Sequence, residues 1–462
     1  MANIPFVHFS IAGWFLKLIE EAVMKNFFIG LVMMGWVFIP HPIYAEPIVQ
    51  NKNAPQKSIT LKDAVALALM HNPQLQAFSF EKRAKEAHAL QSSLLPNPEL
   101  NIFLEDGTGT GGFNGFNRYD QSQTTIQLSQ LIELGGKRAA RIHSSNLSKK
   151  LADWDYETKR MNVLTQVAKS YALLLKAQQS IELTNDLIQL SEKFLNTVNE
   201  RIKAGKVAAL EKIKSELNLS SLKIELENAK RELKVARGNL SITWGTANPL
   251  FESAIGNLNQ ISEIPSLENL KNRLANNPDL ARWATELEQR QAILDSELSK
   301  SIPDVNLQGG FRRYEPTDDN SVVFGISIPL QFFNRNQGAI EEARHKLGKA
   351  ESEKREREAS TEKNFLEAYN ALVFFRNQVT TIKNQILPGS QKAFQGIQEG
   401  YRFGKFNLLD VLDSQKTYFQ TKKFFLESLA QYHLAVANLE RLIGEPLASL
   451  NPSLIQPKGE GS

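Results

Sequence analysis

One set of motifs is written twice along this chain of 462 residues. Asn72-Pro73 recurs as Asn277-Pro278, and Pro98-Glu99-Leu100 as Pro303-Asp304-Val305, both at an offset of 205. Ala204-Gly205-Lys206 answers Phe403-Gly404-Lys405, Leu210-Glu211 answers Leu409-Asp410, and Trp244-Gly245 answers Ile443-Gly444, all at an offset of 199. Matches in one order at near-constant spacing read as an old duplication. The unit is far longer than a solenoid repeat of ~20–45 residues.

Each copy reads as helix, two strands and a long helical hairpin. Residues 60–95 and 266–302 carry helical patterns broken near their Asn-Pro pairs, because proline disfavours helix in the residue before it. Four alternating segments follow. Leu100, Ile102 and Leu104 alternate with Asn101, Phe103 and Glu105; Ile126 and Leu128 alternate with Gln127 and Ser129. Val305, Leu307, Gly309 and Phe311 alternate with Asn306, Gln308, Gly310 and Arg312. Val322, Phe324, Ile326, Ile328 and Leu330 alternate with Val323, Gly325, Ser327 and Pro329. Period two with one apolar face is a half-buried strand, and each segment has about the 9–11 residues of a tilted membrane strand. The strands pair across a Gly-rich connection (Gly107 to Gly115) and a polar one (Arg313 to Asn320).

The remainder is helical. Leu164, Val167, Tyr171, Leu174, Gln178, Ile181, Asn185 and Ile188 step by three and four, and the register continues to Leu195 and Ile202. That is a coiled-coil seam. Leu183, Leu187, Leu190 and Phe194 form a second stripe on another face. Neighbours on two sides suit a helix in the wall of a tube. Breaks are expected only near Gly205 and Gly404, read as hairpin tips because glycine accepts the left-handed geometry that ends a helix.

The N-terminus reads as a secretory signal. Lys25 precedes the apolar run Phe27–Pro40, and Ile43-Tyr44-Ala45 ends on a small residue. Cleavage is placed after Ala45, with Met24-Lys25 as the natural start. The rival reading, a spanning helix, needs ~20 apolar residues, more than this run offers. The boundaries expected are 1–45 signal, 46–97 N-terminal periplasmic helices, 98–131 first strand pair, 132–250 first hairpin and 251–265 linker. Then come 266–302 periplasmic helix, 303–330 second strand pair, 331–446 second hairpin and 447–462 tail.

Four amphipathic strands cannot close a membrane barrel, since single-chain barrels begin at 8 strands and an open edge in lipid leaves backbone groups unpaired. The chain must therefore oligomerise. Two copies would give a barrel filled by its own side chains; three would give 12 strands and a lumen. The fold class expected is an α+β membrane protein whose shared β-barrel continues into a helical tube.

At this point particular residues resemble a known family. Leu131-Ile132-Glu133-Leu134-Gly135-Gly136-Lys137-Arg138 is similar to a segment of the heavy-metal (cobalt–zinc–cadmium type) branch of the TolC-like outer-membrane efflux ducts. The stretch from Tyr401-Arg402-Phe403-Gly404-Lys405-Phe406 to Asp413 resembles the second hairpin tip of that family, and Arg201–Glu211 is a looser match. The resemblance implies a homotrimer with a 12-stranded outer-membrane barrel and a long periplasmic helical tube. It also implies a periplasmic adaptor and an inner-membrane resistance–nodulation–division transporter as partners. Many members carry a lipid on an N-terminal cysteine; this chain has no cysteine, so its anchoring would rest on the barrel.

Four groups of residues follow as candidates. Gly205, Lys206, Gly404 and Lys405 are expected to dock the adaptor, as six near-equivalent points in a trimer. Glu211, Asp410 and Asp413 are candidates for an acidic ring at the periplasmic mouth, against the plainer reading of helix N-terminal acids favoured by the helix dipole. Ile126, Leu128, Phe324 and Ile326 are expected to face outer-membrane lipid, with Gln127, Ser129, Gly325 and Ser327 on the lumen. Gly135-Gly136 is read as a strand-to-helix turn rather than an anion site.

The composition excludes other classes. At 42% hydrophobic the chain is not disordered, and a net charge of +4 is no footprint for nucleic acid. None of His71, His88, His143, His345 and His433 sits in a metal-ligand spacing. No cofactor, metal or catalytic site is expected. Glu351–Glu358 reads as a solvated helix face. A secreted hydrolase has no site to support it, leaving a trimeric coiled-coil adhesive or structural surface protein as the alternative to an efflux duct that conducts heavy-metal cations passively.

Overall fold

The computed structural model describes residues 57–105, 122–315 and 317–447. The signal segment, the Gly107–Gly115 connection and the tail beyond 447 lie outside the described residues. Among those described, no helix is long and apolar enough to cross a membrane.

Helix α1 (Leu61–His71) starts in a capping box: the Thr60 hydroxyl accepts from the Asp63 amide, and the Asp63 carboxylate accepts from the Thr60 amide. It stops at Asn72, whose extended backbone starts α2 (Pro73–Ser93) with proline in the first turn. Strands β2 (Glu99–Glu105) and β3 (Gln123–Ile132) follow, then α3 (Lys137–Lys203) and α4 (Leu210–Ile242). A two-residue strand β1 (Ser58–Ile59) pairs in parallel with β4 (Ser253–Ala254) in the linker. The second half repeats the order: α5 (Leu267–Lys271), α6 (Pro278–Ser299), β5 (Val305–Tyr314), β6 (Asp319–Ser327), α7 (Gln337–Thr381), α8 (Leu387–Arg402) and α9 (Leu408–Ile443).

The four long strands form one antiparallel sheet in the order β2-β3-β5-β6. Among the described residues the outer edges of β2 and β6 have no strand partner, which is the open sheet expected. Helix α3 is unbroken over 67 residues, about 100 Å at 1.5 Å per residue.

The second hairpin departs from the expected single break. Ile382–Ile386 form a π turn between α7 and α8. Pro388 lies just beyond. A proline inside a helix lacks an amide hydrogen and crowds the carbonyl four residues back, here Asn384. Widening that turn relieves the clash without ending the helix.

The seam on α3 also divides. Val167, Tyr171 and Leu174 are buried as expected, but farther down the buried residues are Leu187 and Phe194 of the second stripe, with Val198. Asn185 is exposed and Ile188 only half-buried. The lower half of α3 turns its second stripe to α8 and α9, where Phe194 meets Tyr401 at 5.3 Å and Ser191 accepts from Gln415 at 2.7 Å. Two cores result. One gathers Tyr171, Leu174, Phe251, Leu372 and Leu439 near the linker; the other gathers Phe194, Val198, Phe394, Tyr401 and Phe419 toward the tips.

Candidate functional site

The paired motifs make one joint twice. The Asn72 side chain accepts from the Leu75 amide at 3.0 Å and donates to the Thr243 carbonyl at 2.7 Å. The Asn277 side chain accepts from the Asp279 amide at 2.7 Å and donates to the Leu442 carbonyl at 2.8 Å. Each asparagine caps one helix and ties down the end of a returning hairpin arm. Gly245 and Gly444, both at positive φ, end those arms beside the joints. A Cβ on Gly245 would meet Pro73 at 2.9 Å, and one on Gly444 would meet the Asn276 carbonyl at 3.0 Å.

The segment from Leu131 to Arg138 forms a strand-to-helix corner. Gly135 and Gly136 both take positive φ, and a Cβ on Gly135 would collide with Ile302 at 2.8 Å. Lys137 pairs with Asp304 at 2.5 Å, and the Leu134 amide donates to the same carboxylate. Arg138 donates to the Ser93 carbonyl, and Arg141 to the Ser92 carbonyl and to Glu133. Two arginines therefore sit on the last carbonyls of α2, where the helix dipole favours cations. The segment rivets strand, α2 and α3 at the base of the sheet.

Both tips close by the same helix-ending motif. The Gly205 amide bonds to Ile202 and the Lys206 amide to Arg201; the Gly404 amide bonds to Tyr401 and the Lys405 amide to Gly400. This pairing needs a left-handed residue, and Gly205 and Gly404 have φ of 68° and 77°. Lys206 and Lys405 are exposed.

The tips then diverge. Asn407 and Asp410 form a capping box at 3.0 and 2.9 Å that starts α9, whereas Ala209 before α4 offers no side-chain cap. Asp410 is thus held as a capping residue. Glu211 is held too: it accepts from the Tyr401 hydroxyl at 2.6 Å. Arg201 lies over the Tyr401 ring at 4.2 Å and donates to the Tyr401 carbonyl. Burial first, then the Glu211 carboxylate, push the Tyr401 phenol up from its ordinary pKa. Arg201, Glu211 and Tyr401 tie the first hairpin to the second beside the tips. No local sequence signal marks this tie, since its members lie about two hundred residues apart on different elements. Asp413 alone of the three acids is exposed and unpaired among the described residues.

The sheet faces differ in part: Gln127 and Gly325 are half-buried, but Ser327, expected on the same face, is exposed, and both faces of β2 are exposed at Ile102, Phe103 and Leu104. Ile126, Leu128, Phe324 and Ile326 are exposed, Phe324 at 84%. Thr125 and Ser129 on the other face are buried. That face is bonded across strands: Arg312 donates to Thr125 at 2.9 Å, and Asn101 to Ser129 at 3.1 Å. Gly310 presses so close to β3 that a Cβ would fall 2.6 Å from the Gln127 Cα.

An amphipathic sheet joined to two long hairpins is also the plan of known outer-membrane efflux proteins. The family model described as outer membrane efflux protein matches residues 64–246 and 269–445; the chain belongs to that family. It is 33% identical over 386 residues to the cobalt-zinc-cadmium resistance protein CzcC of Cupriavidus metallidurans, covering 84% of this chain and 90% of the relative. The nickel and cobalt resistance protein CnrC of the same organism is 25% identical over 318 residues, 68% of this chain and 73% of CnrC. Among solved structures, the open-state MtrE outer membrane channel of Neisseria gonorrhoeae matches with a TM-score of 0.70 at 17% identity, over 84% of this chain and 89% of that one. The chain is therefore an outer-membrane efflux component with its hairpins in the periplasm, related to channels rather than to enzymes.

Proposed function

We propose that three copies of this chain close a 12-stranded barrel and a helical tube, forming the exit duct of a tripartite pump that exports heavy-metal cations. The observation that carries this is the four-stranded sheet with an apolar outer face and two unpaired edges. Such a sheet is stable in lipid only when closed by further copies. An exposed stripe on α4, Leu210, Ile213, Leu217 and Ile224, supports the same reading. Its spacing is that of a helix seam awaiting a neighbour. The metal cargo rests on likeness to CzcC and CnrC. The internal duplication accounts for the repeated joints, and Gly205, Lys206, Gly404 and Lys405 are the docking points for the adaptor. Asp413 is the acid left free to line the mouth.

The test is complementation. Cells lacking their own metal-efflux duct but retaining its adaptor and transporter should regain cobalt, zinc and cadmium resistance on expressing this chain. A trimer band on a mild gel of outer membranes should accompany it. Soluble release of the protein, or a stable folded monomer with full β content in detergent, overturns the reading.

A further inference from the structure

The short parallel pair of β1 and β4 has only half a counterpart in the second copy. In the first copy the Glu252 amide donates to the Lys57 carbonyl at 3.3 Å, and the Ile255 amide to the Ile59 carbonyl at 2.9 Å. Helix α3 clasps that pair. The Tyr171 hydroxyl donates to the Ile255 carbonyl at 2.6 Å and lies 3.1 Å from that of Ile59. The Gln178 side chain accepts from the Ala254 amide at 2.7 Å and donates to the Ala254 carbonyl at 3.1 Å, as a neighbouring strand would. Ile59 and Phe251 are buried there, at 1% and 3% exposure.

The receiving groups recur. At the offset of 205 that relates the asparagine joints, Lys57 and Ile59 become Ser262 and Ile264. On the helices, Val167 and Leu174 of α3 answer Phe365 and Leu372 of α7 at an offset of 198, and all four are fully buried. That is one less than at the tips, because the π turn between holds one extra residue. The same offset sets Tyr369 in the place of Tyr171 and Arg376 in that of Gln178. Among the described residues neither the Tyr369 hydroxyl nor the Arg376 guanidinium has a hydrogen-bond or ion-pair partner, and no hydrogen bond reaches the backbone of Glu263 or Ile264. Ile264 is only half-buried, although it packs on the same core as Ile59. The strand itself is what the described residues lack. Leu447, the last of them, packs into that core with its amide bonded to Glu440. At the offset of 199 that relates Gly245 to Gly444, the tail beyond carries Leu450 in the place of Phe251, and Asn451 and Leu454 in those of Glu252 and Ile255. Both donors keep their amides, and Pro452 falls between them. Proline is tolerated in a strand where its missing amide is not needed.

We propose that the C-terminal tail docks back on its own chain: residues 450–454 add a strand parallel to residues 262–264, clasped by Tyr369 and Arg376 as Tyr171 and Gln178 clasp β4. This rests on the internal duplication of the proposed function and not on its trimer or barrel, which would survive its failure.

The chain has no cysteine, so introduced thiols report cleanly. Ile59 lies opposite Ala254 in the first pair, and their counterparts are Ile264 and Ser453. The full-length double variant Ile264→Cys, Ser453→Cys is oxidised mildly in detergent, run on a non-reducing denaturing gel and digested for mass spectrometry. A disulfide within one chain should form at least ~10-fold faster than in the control Ile264→Cys, Gly459→Cys, since only aligned residues hold their Cα atoms within bridging distance. A product of dimer mass means that the tail pairs with another copy, which overturns the proposal. Equal rates in the two variants, or no bridge in either, overturn it as well. The second readout is hydrogen exchange on the unmodified sequence, which no cysteine can have misfolded. Amides of residues 450–456 should exchange about tenfold or more slowly than those of residues 458–462, and Tyr369→Phe should narrow that gap while leaving β4 protected. Exchange of both segments at one rate overturns the docked tail, and a gap unchanged by Tyr369→Phe overturns the clasp.

Discussion

Tyr401 joins the two hairpins through one hydroxyl and one ring. Its hydroxyl bonds to Glu211 on α4 and its ring lies under Arg201 on α3. Tyr401→Phe keeps the ring and deletes the hydrogen bond, which to a charged acceptor is worth ~1.5–3 kcal/mol. The expected result is a looser mouth: higher conductance in planar bilayers with trimer yield unchanged. Conductance equal to wild type would mean that the tie bears no load. His433 offers a second residue-scale test. Burial pushes its pKa down, partly offset by the bond to the Leu258 carbonyl. Below about pH 6.5 the unfolded chain therefore takes up this proton first, and stability falls as pH falls toward the folded value. Burial pushes Glu440 up, partly offset by the Leu447 amide. Its sign is opposite: the unfolded chain loses that proton first as pH rises above about 4.3, so stability falls with rising pH there. His433→Gln should remove the acid-side loss while sparing the opposing slope, as read in melting temperatures from pH 5 to 7.

Elements owe their placement to the two asparagine joints. Asn72→Ala or Asn277→Ala deletes a helix cap, about 1 kcal/mol, and leaves a carbonyl without its partner, ~1–3 kcal/mol. Both asparagines are buried, at 6% and 1% exposure. Each variant should lower stability by roughly 2–4 kcal/mol in denaturant melts, and the two losses should be similar. The strands give the complementary test. Ile326→Arg should cost ~2–4 kcal/mol near the midplane and fail to assemble, while Ser327→Arg is tolerated. The reverse outcome on mild gels would shift the register by one residue. Much at this scale was legible. Period-two alternation exposes Phe324 and Ile326 because a strand has no other way to bury half its side chains. Gly205 and Gly404 were legible because positive φ leaves few alternatives to glycine. The π turn was not: Pro388 signals a broken helix, and whether the break is a stop or a widened turn depends on the partners packed alongside. Asp410 was legible as a helix N-terminal acid, the rival to the ring, whereas its capping box with Asn407 emerged only in the structure.

For the whole molecule, both tips should be needed to work with a pump. Bulky substitution at Gly205 or Gly404 strains a left-handed position by ~1–2 kcal/mol, and Lys206→Glu or Lys405→Glu reverses an exposed charge. Metal export and adaptor cross-linking should be lost while trimer and membrane insertion persist. Variants that export like wild type would place the docking surface elsewhere. The tips are not interchangeable, because only the second has a capping box and only the first supplies Arg201. Losses at the two tips should therefore differ in size. The asparagine joints have a consequence for motion. They pin both returning arms, α4 and α9, at their ends far from the tips. From that collar α4 runs 33 residues to its tip, about 50 Å. A lever of that length turns a pivot of about 5° into some 4 Å at the far end, so a mouth built on it can widen by most of an ion's hydrated diameter while the packing at the collar scarcely shifts.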